Sequence, residues 1–201
     1  MPLTALALNC SLKGSAEKSS TDKILNEVLQ ELAKYDVTSE VIRVVDYNIK
    51  PGVKSDEGEG DDWPHLRAKV LAADILIFGS PIWLGQPSSV AKRILERMDA
   101  FLGETDDKQR MPPYGKVAVV AIVGNEDGAH HCHAEIFQAL NDVGYTIAPG
   151  AGTYWVGQAM ASTDYKYLKS PYDKTLQTNR TSAANAMHLA KLLKANPYEG
   201  L

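Results

Sequence analysis

Short apolar runs alternate along this chain with segments of helical periodicity, and that alternation restricts the available folds more than any single motif does. Leu3 to Leu8 reads as a short buried strand, followed by a polar loop from Asn9 to Lys18. In the helix beyond it, Ile24, Leu25, Val28 and Leu32 share one face. Ser19 precedes Asp22 by three positions, which suits a hydroxyl cap with a carboxylate at the positive helix end. Val37 to Val45 interleaves β-branched residues with Ser39, Glu40 and Arg43, the half-polar pattern of a sheet edge. Ile75 to Gly79 and Lys116 to Val123 are continuous apolar runs, as central parallel strands are. A short helix from Asp62 to Ala72 tolerates Pro64 in its first turn. Two more helices carry Val90, Ile94, Leu95 and Met98, then Ile136, Phe137, Leu140 and Val143, the latter ended by Gly144. Thr146 to Val156 supplies a last strand, and its Pro149 and glycines suit an edge. A final helix over Asn179 to Lys194 turns Ala183, Met187, Ala190 and Leu193 to one side.

Five strands alternating with five helices specify an α/β fold: a three-layer, doubly wound, five-stranded parallel sheet in the order 2-1-3-4-5. The length of 201 residues fits a single domain over 1–201. With 21 Lys and Arg against 25 Asp and Glu, the net charge of −4 gives no basic footprint for nucleic acid. No apolar run approaches the roughly 20 residues of a bilayer span, and Met1 to Asn9 lacks a positive leader region. Cys10 and Cys132 are too few for a disulfide framework. A cytoplasmic protein without membrane or nucleic-acid partners is the expectation. The acidic, glycine-rich stretch Pro51 to Asp62 has no apolar period, so it reads as a mobile surface loop. Its carboxylates lack the spacing of an EF-hand calcium loop.

In such a sheet, ligands bind beyond the carboxyl ends of the strands at the switch point, which makes three loops matter. The first, Asn9 to Thr21, holds Ser11, Ser15, Ser19, Ser20 and Thr21 and leads into a helix N-terminus. Hydroxyls and backbone N–H groups at a positive helix end make a phosphate site, while capping alone would use only one of these residues. Known phosphate-cleaving and nucleotide motifs fail on the letters. Gly14 is alone where a dinucleotide fingerprint needs three glycines, and Glu17 stands where a P-loop needs glycine. A C-x5-R phosphatase would need arginine at Ala16. A phospho-acceptor domain would need an acid where Gly79-Ser80 stand, and no G-x-S-x-G pentapeptide occurs. The second loop, Gly79 to Ser89, offers Trp83 and Leu84 as apolar contacts for a planar polar ligand, or as a simple cover for the sheet end. The third, Gly124 to His133, pairs glycines that allow close backbone approach with a helix start. Its His130, His131, Cys132 and His133 diverge around a helix, so three of them cannot readily meet on one metal ion.

Taken in order, the three loops resemble those of the flavodoxin-like NAD(P)H-dependent FMN reductases, which include quinone reductases and relatives of iron–sulfur flavoproteins. Gly79-Ser80-Pro81-Ile82-Trp83-Leu84-Gly85, followed by Ser89-Val90-Ala91-Lys92, looks like that family's G-[ST]-P-x-[YW]-x-G run into a helix. The resemblance implies FMN, with Ser11, Ser19, Ser20 and Thr21 on its phosphate. It places Pro81, Ile82, Trp83 and Leu84 along the flavin ring, with Gly124, Asn125, Glu126 and Gly128 closing the other side. The first loop is longer than the family's usual form and leaves Lys13 and Lys18 unplaced, and no cysteine follows the second strand to ligate an iron–sulfur cluster.

The implied chemistry lies on flavin N5, with NADH or NADPH as co-substrate and no catalytic side chain required. His131 is a candidate for placing substrate. The expectation is an FMN-dependent NAD(P)H oxidoreductase passing two electrons to a small-molecule acceptor, either a quinone, free flavin or similar, in a homodimer or homotetramer. A flavodoxin-like electron carrier and a non-catalytic flavin-binding protein are the alternatives. Gly157 to Thr178, with Tyr165, Tyr167 and Tyr172 among lysines, is expected to cover part of the site or join an oligomer interface, against plain surface coil.

Overall fold

The first strand, β1 (Thr4–Asn9), is buried beyond its first residue, as an apolar run covered on both faces must be. The computed structural model describes residues 2–169 and 172–201. Along the chain follow α1 (Ser20–Ala33), β2 (Thr38–Arg43), α2 (Trp63–Ala72), β3 (Ile75–Trp83), β4 (Gln86–Pro87) and α3 (Ser89–Met98). After them come β5 (Val117–Gly124), α4 (Ala129–Asp142), β6 (Thr146–Val156) and α5 (Asp173–Ala195). The long strands pair in parallel in the order β2-β1-β3-β5-β6, and the two-residue β4 pairs antiparallel with β3. Setting β4 aside, this is the expected 2-1-3-4-5 sheet.

Two apolar layers hold the helices to the sheet. On one face Leu6, Leu8, Leu76, Phe78, Val120 and Ile122 meet Leu66 of α2, Ile94 and Met98 of α3, and Ile136 and Leu140 of α4. On the other, Ala5, Ala7, Ile75, Ile77, Val119 and Ala121 meet Ile24, Leu25, Val28 and Leu32 of α1 and Ala183, Ala186, Ala190 and Leu193 of α5. The small residues of α5 let it lie close to edge strand β6. Ser182 Oγ donates to Gly150 O (2.5 Å), Asn185 Nδ2 to Pro149 O (2.7 Å) and Thr175 Oγ1 to Tyr154 O (3.1 Å). These bonds occupy carbonyls that an edge strand would otherwise offer to another chain. Pro149 falls where pairing slips from Ala118↔Ile147 to Val120↔Gly152, a bulge that spares its missing N–H.

Three expectations are corrected. The stretch after Gly79 is not an open loop. β3 continues to Trp83, turns at Leu84-Gly85 and returns as β4, with both turn residues at positive φ (52° and 74°). That is the requirement of a two-residue hairpin of the primed type. The helix expected from Asn179 begins at Asp173. The acidic stretch 51–62 is bolted to the core rather than free. Asp61 and Arg97 form an ion pair at 2.8 Å with both side chains wholly buried. Arg97 also donates to Lys50 O (2.9 Å) and through Nε and Nη2 to Lys54 O (3.1 and 2.8 Å), while Asp61 accepts N–H groups of Lys50, Glu57 and Trp63.

Candidate functional site

At the carboxyl end of the sheet, the chain that leaves β1 must turn before α1, and it does so around polar side chains. The Asn9 carboxamide accepts the Ser11 N–H (3.0 Å) and donates to Asp22 (3.1 Å). Arg43, at the end of β2, sends Nη1 to the carbonyls of Lys13 (2.8 Å) and Gly14 (2.9 Å), and Nη2 to Asp22 (3.2 Å). The underside of the loop is therefore fixed by its own carbonyls. Its hydroxyls are arranged differently. Ser11 Oγ accepts the Lys13 N–H (3.1 Å), Ser19 Oγ the Asp22 N–H (3.4 Å) and Ser20 Oγ the Lys166 N–H (3.2 Å). Each of these oxygens is engaged as an acceptor of the chain's own N–H, which leaves its O–H to donate. The N–H groups of Ser20 and Thr21 open α1 and have no acceptor within the helix. The donor set thus suits an anion at a helix N-terminus.

These groups line a cavity of about 150 Å³ together with Leu12, Lys13, Pro81, Ile82, Trp83, Val123, Gly124, Asn125, Glu126, Trp155, Asp164, Tyr165 and Lys166. Hydroxyls and lysines stand at one end, and Trp83, Ile82 and Trp155 give apolar wall. Ten of the residues singled out from sequence meet here: Ser11, Ser19, Ser20, Thr21, Pro81, Ile82, Trp83, Gly124, Asn125 and Glu126. Leu84 and Gly128 do not line it. Leu84, 93% exposed, is the tip of the hairpin, and a Cβ on Gly128 would come within 2.7 Å of the Gly85 backbone. Gly124 lines the cavity, and a Cβ on it would meet the Ile82 side chain at 3.0 Å. Glu126 clips the hairpin by accepting the N–H groups of Leu84 (3.3 Å) and Gly85 (3.2 Å). Asn125 donates to Ala161 O (2.8 Å) and fastens the chain beyond β6.

His131 lies outside this cavity, its Nε2 at 2.9 Å from both Gln86 Oε1 and Glu135 Oε1, so it ties β4 to α4. His133 is buried on the sheet. Burial first, then nearby His130, push its pKa down to about 4 against the opposing bonds to Thr153 and Val120. Burial also pushes the Cys10 thiol up and Cys132 to about 11, so neither presents a thiolate. Among the described residues, no group of His, Cys, Asp and Glu side chains could hold a metal ion. A wider depression of about 610 Å³ lies around Arg110 and Tyr198, but Asp106 engages that guanidinium at 2.8 Å.

Sequence reasoning missed Trp155 and Asp164, and it named Tyr165 and Lys166 only as members of the segment 157–178, expected to cover part of the site or join an oligomer interface. Asp164 to Lys166 do line the cavity, while Ser170 and Pro171 of that segment lie outside the described residues.

The sheet order, with a hydroxyl-lined cavity beside aromatic walls at the carboxyl ends of the strands, defines an α/β protein of the flavodoxin-like class. The chain belongs to the NADPH-dependent FMN reductase family, whose model matches residues 3–161. It is 35% identical over 210 residues to the 8-demethyl-8-aminoriboflavin-5'-phosphate synthase of Streptomyces davaonensis, covering 98% of this chain and 81% of that one. It is 36% identical over 200 residues to a protein of Mycobacterium bovis named divalent metal cation transporter MntH, covering 96% of this chain and 29% of that protein. Among the described residues no helix is long and apolar enough to cross a membrane. The crystal structure of RosB with bound 8-demethyl-8-formylriboflavin-5'-phosphate superposes with a TM-score of 0.88 at 32% identity, over 98% of this chain and 82% of that one. The chain is accordingly of an oxidoreductase-type flavoprotein family that uses FMN and NAD(P)H and acts on small molecules.

Proposed function

We propose that the cavity between the β1–α1 loop and the β3–β4 hairpin holds FMN. We propose further that the protein passes two electrons from NADH or NADPH to a quinone, free flavin or similar small acceptor. The observation that carries this is the set of serine hydroxyls whose oxygens already accept backbone N–H groups, so that their O–H groups are free to donate to an anion. Bound FMN supplies the hydride chemistry, at ring position N5. The chain's part is to hold and orient. Ser11, Ser19, Ser20 and Thr21 take the phosphate, and Pro81, Ile82, Trp83 and Trp155 exclude water from the ring. No side chain in the cavity is required as acid or base. Trp83, Leu84, Met160 and Tyr167, exposed on segments that border this cavity, support the homodimer or homotetramer reading, which light scattering checks directly.

A second reading has its own support. The Streptomyces relative is named for a reaction on the flavin itself, and RosB holds a modified riboflavin phosphate. In that case the flavin in this cavity is substrate, not cofactor. One experiment separates these readings. Protein reconstituted with FMN is titrated anaerobically with NADH and then NADPH, and the flavin is afterwards released and weighed by mass spectrometry. Direct bleaching with the FMN mass unchanged is the expected result. A flavin of altered mass transfers the assignment to flavin modification. A spectrum that stays yellow transfers it to an electron carrier or binding protein.

A further inference from the structure

The chain beyond β6 forms a strap across the site, and most of it lies past residue 161, where the family match ends. Its first half is tied to β5: Gly157 N–H donates to Gly124 O (3.0 Å) and Met160 N–H to Asn125 O (3.2 Å). Its second half is tied to α1. Lys23 Nζ donates to the carbonyls of Tyr165 (3.2 Å) and Leu168 (2.6 Å). The Lys166 N–H donates to Ser20 Oγ (3.2 Å), and the Tyr165 hydroxyl to Glu27 Oε2 (2.5 Å). Ser20, Lys23 and Glu27 follow one another at helical spacing, so one face of α1 receives the strap. Tyr165 is fully buried and its ring lies 5.1 Å from that of Trp155, which pins the strap in the core.

This anchoring seats Lys166 on the first residue of α1. Its side chain is only 11% exposed, far below what a solvated lysine shows, and it lines the same cavity as Lys13 of the β1–α1 loop. The carboxylates nearby do not cancel the two ammonium groups. Asp164 touches Lys166 at 3.2 Å but is itself 41% exposed, Glu126 of the same cavity is engaged by the N–H groups of Leu84 and Gly85, and Asp22 at the helix start is taken by Arg43 and Asn9. Two cations facing one small cavity at a positive helix end repel each other unless an anion lies between them.

We infer that Lys166, on a strap outside the family-matched span, acts with Lys13 as a cation clamp on the flavin's 5'-phosphate, so that the strap selects phosphorylated over unphosphorylated flavin. The inference rests on the placement of FMN proposed above and adds to it a residue and a selectivity. Lys166 acts by direct charge-assisted hydrogen bonding to phosphate oxygens, and Asp164 holds its ammonium in line.

The test measures FMN and riboflavin affinities of flavin-free protein by fluorescence quenching. The proteins compared are wild type, Lys166→Gln, Lys166→Arg and the double variant Ser11→Ala/Thr21→Ala. Losing one charge-assisted bond should weaken FMN binding about tenfold while riboflavin binding is unchanged, and Arg should restore most of the loss. The salt dependence of FMN binding should become shallower in Lys166→Gln. Equal loss for both flavins would make Lys166 a structural support of the strap and overturn the clamp. Unchanged FMN affinity in Lys166→Gln, with the Ser11/Thr21 variant impaired, would overturn the clamp and leave the phosphate loop standing. A wild type that binds both flavins equally well would overturn the placement and the clamp together.

Discussion

His133 shows how a single buried side chain shapes the response of the whole fold to acid. It stacks on Phe137 at 5.5 Å and meets the Thr153 carbonyl at 3.2 Å through Nε2. Its pKa in the fold, about 4, lies below the ordinary 6.5. Between those values the unfolded chain takes up a proton that the folded chain refuses. Stability contributed by neutral His133 is therefore complete above pH 6.5, falls as pH drops toward 4, and levels off below. The loss amounts to about 3–4 kcal/mol at ~1.4 kcal/mol per unit. Urea unfolding at pH 6.5 and pH 4.5 should show His133→Phe losing markedly less stability on acidification than wild type; parallel losses would contradict this. Leu84 carries a different strain, with φ at 52° and a side chain almost wholly in solvent. Leu84→Asn, a residue that tolerates this conformation, should raise stability by about 1 kcal/mol, read as a higher Tm. At this scale the sequence was legible for the hydroxyls of the first loop, which share one short segment, whereas it named Lys166 without showing its seat on α1. The partner of Lys166, Ser20, lies 146 residues away.

At the scale of elements, what could be read was what local periodicity encodes. Apolar runs marked β1, β3 and β5, and the three-to-four spacing of Ile24, Leu25, Val28 and Leu32 marked α1. Elements stabilised by distant partners were misread. The hairpin after Gly79 is held by Glu126 from another loop, and the first turns of α5 carry Lys174, Gln177 and Thr178, which break the apolar stripe. The stretch 51–62 looked mobile because Arg97, which organises it, stands on α3. Burial raises the Asp61 carboxyl, but Arg97 and the N–H groups of Glu57, Trp63 and Lys50 outweigh it and hold the pKa at about 2. Removing one member of such a pair strands a buried charge, so Arg97→Met should destabilise by about 3–5 kcal/mol. Limited proteolysis should then cut within 51–62 well before the rest of the chain, whereas the wild-type stretch resists; equal resistance would return the loop to the surface-coil reading.

For the molecule as a whole, the family-matched span and the folding unit do not coincide. The match ends at residue 161, yet the face of the sheet toward α1 is completed by Ala183, Ala186, Ala190 and Leu193 of α5 and by Tyr165 of the strap. The same helix closes the β6 edge through Thr175, Ser182 and Asn185. A chain cut after residue 161 would expose an apolar sheet face and an unguarded edge strand together, the combination that invites edge-to-edge pairing. By contrast, residues 196–201 touch the rest of the chain at few points, with Tyr198 bonded to Arg110 and Thr146 and the Leu201 N–H on Lys108 O. Gel filtration and circular dichroism should therefore find 1–161 aggregated or unfolded and 1–195 native, with a stability loss of about 1–2 kcal/mol for the hydrogen bonds of the tail. A monodisperse, flavin-binding 1–161 would show that β1 to β6 and α1 to α4 fold alone, and would make α5 an accessory to the site instead of a wall of its core.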